Sequence, residues 1–267
     1  MTTEDESWSV MSWNILAHEF TSFECKNHLN KIEGKANAVE HVDQFVQRCQ
    51  RARQTILSRN SALVLLQEVS FSFLNDSFHG GLCPPSESLD QLHHQYHVAT
   101  AYGDSGRGAN EPGTAILVRK DLSVFEHFVL PGGRTTTGGT SKSACAVCVQ
   151  LADMRVWCVS IHTTWGGTED AARMRLHHLQ LLHEALAHRL LPSDSVLIAG
   201  DFNCSDRDPL IAGLVSSSCL TKLTRVILPG NTFTHDDGTT RFQARRAFCS
   251  HTSHRRHQLH RPRLYQL

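Results

Sequence analysis

The stretch Ser195-Val-Leu-Ile-Ala-Gly-Asp-Phe-Asn203 constrains the fold more than any other part of the chain. Val196 to Ala199 form a short, unbroken apolar run, the pattern of a strand buried on both faces, and Gly200 marks its end or a close backbone approach. If extension continues, Asp201 and Asn203 point to one side and Phe202 packs on the other. The same residues also read as an Asp-Phe-Asn turn after a core strand. Other segments must decide between a site and a turn.

Two of them end in the same way. Ala62-Leu-Val-Leu-Leu-Gln-Glu-Val69 is an apolar strand that delivers Gln67 and Glu68, and a carboxylate after five apolar residues is costly to bury without a cation or a donor. Arg155-Val-Trp-Cys-Val-Ser-Ile-His162 ends in a histidine, which can donate to an anion or do acid-base work. The N-terminal run Trp8 to Leu16 is apolar on both faces except for Ser9, Ser12 and Asn14; Asn14, near its end, must find partners or belong to a site. Each of these residues, taken alone, also reads as a structural polar group.

The segments between them carry helical patterns. Residues 37 to 59 place Ala38, Val42, Phe45, Val46, Cys49, Ala52, Ile56 and Leu57 on one face of a helix, with Arg48, Arg51 and Arg53 on the solvated side. A second helix runs from about Glu169 to Leu191, with Leu176, Leu179, Leu182, Leu186 and Leu190 as its buried stripe and its histidines in solvent. Gly113 to Arg119 reads as a strand, with Leu122 to Leu130 as its hairpin arm. Ala144 to Leu151 is a further strand, which sends Cys145 and Cys148 to opposite faces and argues against a redox pair. His93, His94 and His97 read as surface histidines. The glycines at 103, 106 and 108 lack the strand, lysine and helix of a nucleotide loop, and no Gly-x-Ser-x-Gly elbow occurs.

With 267 residues, 40% hydrophobic and 19% charged, one domain is expected. The acidic start, Met1 to Ser7, has neither the basic nor the apolar part of a secretory signal. No apolar run approaches the roughly 20 residues of a membrane span. Nine cysteines without a spaced framework argue for reduced thiols and an intracellular protein, cytoplasmic or nuclear. The formal charge of +0 hides an asymmetry: residues 239–267 hold seven Arg, no Lys and no acid, which leaves 19 basic against 26 acidic residues elsewhere.

The order of motifs is more specific than any one of them. Trp13-Asn14-Ile-Leu-Ala, Leu66-Gln67-Glu68-Val69, Gly113-Thr-Ala-Ile-Leu, Ser160-Ile-His162-Thr and Gly200-Asp201-Phe202-Asn203 together resemble the endonuclease/exonuclease/phosphatase superfamily. The start and the Arg175-Leu-His-His-Leu-Gln-Leu-Leu segment look most like its nocturnin, angel and carbon-catabolite-repressor deadenylase branch. The resemblance implies an α/β fold of the deoxyribonuclease I-like type: a two-sheet β-sandwich flanked by helices in four layers, with the site at one end. It implies Mg²⁺- or Mn²⁺-dependent hydrolysis of phosphate esters, as a phosphodiesterase or nuclease on RNA or nucleotides. Carried over, Glu68 binds the metal with Asn14 beside it, Asp201 orients or deprotonates water, Asn203 holds phosphate or nucleophile, and His162 donates to the phosphate. Trp165 is a candidate for stacking a base, and Arg241 for the arginine expected near that point.

The end of the chain departs from this pattern. No Asp or Glu follows Asp237, so the closing Asp-His pair of the family is absent. The expected organisation is therefore a disordered start at 1–7, the catalytic domain at 8–238, incomplete at its C-terminus, and a basic tail at 239–267 that is disordered or aberrant. An abrupt change of composition inside a family motif points to a shifted reading frame, a divergent splice form or a degraded terminus. The alternative function is an inactive remnant that binds nucleic acid or protein.

Overall fold

The computed structural model describes residues 8–15, 42–74, 87–103, 111–130 and 143–204, and beyond them the backbone of five short strands. The elements in chain order are β1 (Ser9–Asn14), α1 (Val42–Arg59), β2 (Leu63–Val69), α2 (Phe71–Leu74), α3 (Glu87–Gln95), β3 (Tyr96–Gly103), β4 (Glu111–Arg119), β5 (Val124–Leu130), β6 (Ala144–Leu151), β7 (Met154–His162), α4 (Glu169–Ala187) and β8 (Ser195–Asp201). The five short strands are β9 (Leu223–Val226), β10 (Phe233–Asp236), β11 (Arg241–Gln243), β12 (Arg245–Ser250) and β13 (Arg263–Tyr265).

Two mixed sheets are stacked. The first runs β13-β1-β2-β4-β3 and the second β5-β6-β7-β8-β12-β9, with β10 and β11 paired separately. Each sheet contains a parallel pair of long strands: β1 with β2, in register at Asn14 and Gln67, and β7 with β8, in register at His162 and Asp201. Both pairs therefore bring the C-terminal ends of two strands side by side.

Strand alternation sorts the apolar residues into three cores. Leu63, Leu65, Ile116 and Val118 face Cys145, Val147, Cys158, Leu197 and Ala199 between the sheets. Met11, Val64, Leu66 and Leu117 face outward and are covered by Phe45, Cys49, Ala52 and Ile56 of α1. Ala146, Trp157, Val159, Ile161 and Ile198 are covered from the other side by Leu179, Leu182 and Leu186 of α4. The result is helix, sheet, sheet, helix, and strands buried on both faces explain why the sequence shows unbroken apolar runs. Cys145 and Cys148 fall in different cores, as their spacing requires.

Several local expectations change. β5 pairs with β6 and not with β4, so the turn after Arg119 carries the chain from the first sheet to the second. In α1, Arg51 is exposed, but Arg53 is fully buried: its Nε and Nη2 donate to the Phe73 carbonyl at 3.1 and 2.8 Å, and Nη2 also to that of Ser72 at 3.1 Å. A guanidinium can enter a core when backbone carbonyls take its protons. In α4 the buried stripe is Ala171, Arg175, His178, Leu179, Leu182 and Leu186, whereas Leu176 is 43% exposed. Positions 37–41 of the first expected helix lie outside the described residues.

The composition of residues 239–267 argues against strands, yet β11, β12 and β13 lie there. β12 pairs antiparallel with β8 from Arg245 opposite Asp201 to Ser250 opposite Val196, and β13 pairs in parallel with β1. Ladder bonds come from backbone N–H and C=O groups that any non-proline residue supplies, so pairing does not need β-branched side chains. Among the described residues no helix is long and apolar enough to cross a membrane.

Candidate active site

The inward-facing columns of the two parallel pairs change character along their length. Val10, Ser12 and Asn14 on β1, Leu63, Leu65 and Gln67 on β2, Val156, Cys158, Ser160 and His162 on β7, and Leu197, Ala199 and Asp201 on β8 share the inter-sheet side by alternation. Each column starts apolar and ends polar. The polar ends meet at one edge of the sandwich.

Glu68 reaches that edge by a different route. Leu66 and Val69 both pack outward under α1, three positions apart, which strict alternation forbids. The β2–β4 register shifts between Gln67 and Val69, and Glu68 has a left-handed φ of 54°. This is a β-bulge: one extra residue is absorbed and the side chain at the bulge is re-aimed. A non-glycine residue in this region is strained, and such strain concentrates at functional sites.

Gly200 serves the opposite strand pair. Its φ is 152°, and a Cβ there would lie 1.9 Å from the Ile161 carbonyl oxygen of β7. Only glycine allows the two backbones to approach so closely. The neighbouring ladder positions then place His162 opposite Asp201, and the Thr163 N–H donates to the Asp201 carbonyl at 2.9 Å.

The four side chains converge. Asn14 Nδ2 donates to Glu68 Oε1 at 2.9 Å and to Asp201 Oδ2 at 3.0 Å, so one neutral amide bridges two carboxylates from different sheets. His162 Nε2 lies 3.7 Å from Glu68 Oε1. One ligand atom each from Glu68, His162 and Asp201 falls within 4.8 Å of the others. His162 and Asp201 are buried, and the Glu68 side chain is 13% exposed. Asn203, with a left-handed φ of 47°, closes the turn: its N–H donates to Asp201 Oδ1 at 3.0 Å and its Nδ2 to the Thr163 carbonyl at 2.8 Å.

The segment after His162 is built separately. Thr163 Oγ1 donates to the Phe202 carbonyl, and Trp165 is 61% exposed. Arg175, buried on α4, donates through Nη1 to the carbonyls of Thr164 and Gly166 at 3.0 and 2.8 Å, on either side of Trp165. In the sequence Arg175 stands only as the start of a family-like helix segment, and the signal for this role is a charged residue on the buried stripe of that helix. Arg241 lies on β11, and its side chain is outside the described residues. His93, His94 and His97 are exposed and join no metal-ligating group among the described residues.

Two carboxylates and an imidazole around one point form a compact, mostly oxygen donor set. The sequence profile described as the endonuclease/exonuclease/phosphatase family matches residues 11–266. The chain belongs to that family. Membership assigns it to the hydrolases of phosphate esters, and the match extends over the short C-terminal strands. Solved structures agree on the fold. The chain is similar to ANGEL2, described as a 2',3'-cyclic phosphatase, at 15% identity and a TM-score of 0.63, covering 91% of this chain and 83% of that one. It is similar to the human nocturnin catalytic domain with bound sulfate at 14% identity and a TM-score of 0.58, covering 94% and 84%. With D. rerio TDP2 complexed with a single-strand DNA product, the values are 14%, 0.58, 92% and 85%. Among curated proteins no sequence matches.

Proposed function

We propose that this chain is a divalent-metal-dependent phosphodiesterase or nuclease acting on RNA or a nucleotide phosphate ester. The observation that carries the reading is the meeting of Glu68, His162 and Asp201, with one ligand atom each inside 4.8 Å. Carboxylates so close repel one another, and a cation relieves that repulsion. Oxygen-rich donors suit Mg²⁺ or Mn²⁺. Glu68 would hold the ion, with Asn14 beside it; Asn14 spends Nδ2 on the carboxylates, so Oδ1 is its only atom able to face a cation. When bound, such an ion supplies positive charge to a phosphate oxygen and acidifies water.

The remaining roles belong to the chain itself. Asp201 orients the attacking water or takes its proton, and the Asn203 N–H keeps Asp201 Oδ1 fixed. His162 donates to a phosphate oxygen. Asn203 holds phosphate or nucleophile, Trp165 stacks a base at the rim, and Arg241 contributes positive charge toward substrate. The cyclic-phosphatase description of ANGEL2, the sulfate in nocturnin and the DNA product in TDP2 are consistent with phosphate chemistry. Cys145 and Cys148 are free thiols, which supports an intracellular setting, cytoplasmic or nuclear.

A second reading has its own observation. Residues 238–267 contain no Asp or Glu, where the resemblance implies a closing aspartate. On that reading the chain is an inactive remnant that binds nucleic acid or protein. Hydrolysis of oligoadenylate and of a simple phosphodiester with Mg²⁺ or Mn²⁺ separates the two. We expect Glu68→Ala and Asp201→Ala each to lower kcat/KM by about 100-fold or more, since each removes charge placed at the reacting centre. Activity indifferent to both substitutions refutes the site, and none in any variant favours the remnant.

A further inference from the structure

Directly beneath the site the two sheets are joined by a polar contact inside an apolar core. Gln67 Nε2 donates to Ser160 Oγ at 3.0 Å and to the Leu65 carbonyl at 3.1 Å, while Ser160 Oγ donates to the Leu66 carbonyl at 2.8 Å. Gln67 belongs to the first sheet and Ser160 to the second, and both side chains are fully buried. Gln67 Oε1 has no hydrogen-bond partner among the described residues. A buried amide with one end unsatisfied is a poor way to hold two sheets together, since an apolar pair would do so without that penalty.

We propose that Gln67 and Ser160 are positioning residues that set the spacing between the Glu68 carboxylate and the His162 imidazole. Glu68 follows Gln67 directly, and His162 lies two positions beyond Ser160 on the same face of β7. Glu68 and His162 come from different sheets and approach to 3.7 Å. The hydrophobic attraction between the sheets is non-directional. Hydrogen bonds are directional, so the Gln67–Ser160 bridge fixes the register of the sheets at the level next to the site. The bulge at Glu68 makes this control necessary, because a residue outside the regular ladder takes its position from the one before it.

The inference rests on the proposed function for its catalytic readout, and its structural readout is independent of it. The test is the double variant Gln67→Met/Ser160→Ala in the full chain, which replaces the bridge by an apolar pair. The thermal midpoint should stay within about 3 °C of the parent or rise, because both polar partners are removed together. Mn²⁺ affinity and kcat should each fall about 10-fold or more, the usual effect of losing a group that orients a ligand, while KM changes less than about 2-fold. Crystal structures of parent and variant should show different Glu68 Oε1 to His162 Nε2 separations, the parent near 3.7 Å. An unchanged separation overturns the proposal, as does a fall in kcat that merely follows the fraction unfolded. If the parent neither binds Mn²⁺ nor hydrolyses phosphodiesters, the proposed function fails, and the separation alone decides the bridge.

Discussion

Glu68 shows how one residue can be wrong for its local structure and right for its place. A left-handed φ costs a side-chain-bearing residue about 1–2 kcal/mol, a strain that glycine does not feel. Replacing Glu68 by alanine removes the carboxylate and keeps the strain, whereas glycine removes both. In most strand positions glycine is the less stable of the two. Here Glu68→Gly should be more stable than Glu68→Ala by about 0.5–1 kcal/mol in urea unfolding. The usual order, alanine above glycine, would show that the bulge relaxes when the carboxylate is lost. Gly200 is the complementary case, a position where the neighbouring carbonyl excludes any Cβ.

At the scale of elements, α4 has the clearest consequence for solution behaviour. His178 lies on its buried stripe, its two ring nitrogens have no hydrogen-bond partner among the described residues, and burial, with a smaller contribution from His177, lowers its pKa to about 4. The unfolded chain binds this proton near pH 6.5, while the folded one refuses it until about pH 4. Stability from this group is therefore full above pH 6.5 and is lost as pH falls between those values, by up to roughly 3 kcal/mol. His178→Leu should flatten the dependence of the urea midpoint on pH between 7 and 4.5. A slope equal to that of the parent would mean that His178 takes up its proton in the folded protein.

The same helix shows what the sequence discloses and what it conceals. Its existence was legible from leucine spacing, but counting leucines assigned Leu176 to the core and left out Arg175 and His178. Which arc of a helix is buried depends on the sheet beneath it. Strands β2, β7 and β8 were legible because both faces are covered, and so were the groups that end them, Glu68, His162 and Asp201. The partner of β5 was not legible, because a short turn can return to its own sheet or cross to another. Nor was the Glu68 bulge, whose only trace is the outward packing of both Leu66 and Val69.

For the molecule as a whole, the site is a seam between two sheets. An ion held at this seam by Glu68, with Asn14 beside it, would bind the folded protein alone. Mn²⁺ at about 100 times its Kd should raise unfolding free energy by about 2.7 kcal/mol. The gain should disappear in Glu68→Gln, which removes the charge proposed to hold the ion, and persist in a variant of exposed Asp121. An equal gain in all three proteins would place the ion elsewhere.

The Asn14 amide carries a consequence for folding. Its hydrogen bonds to Glu68 and Asp201 close chain separations of 54 and 187 residues. Closure of loops this long is costly in entropy and is repaid only after the intervening strands have paired. The contact that joins the two carboxylates should thus be among the last to form on refolding and among the first to open in mild denaturant. An activity assay would then report native topology more sharply than circular dichroism, which registers each sheet whether or not the two have come into register.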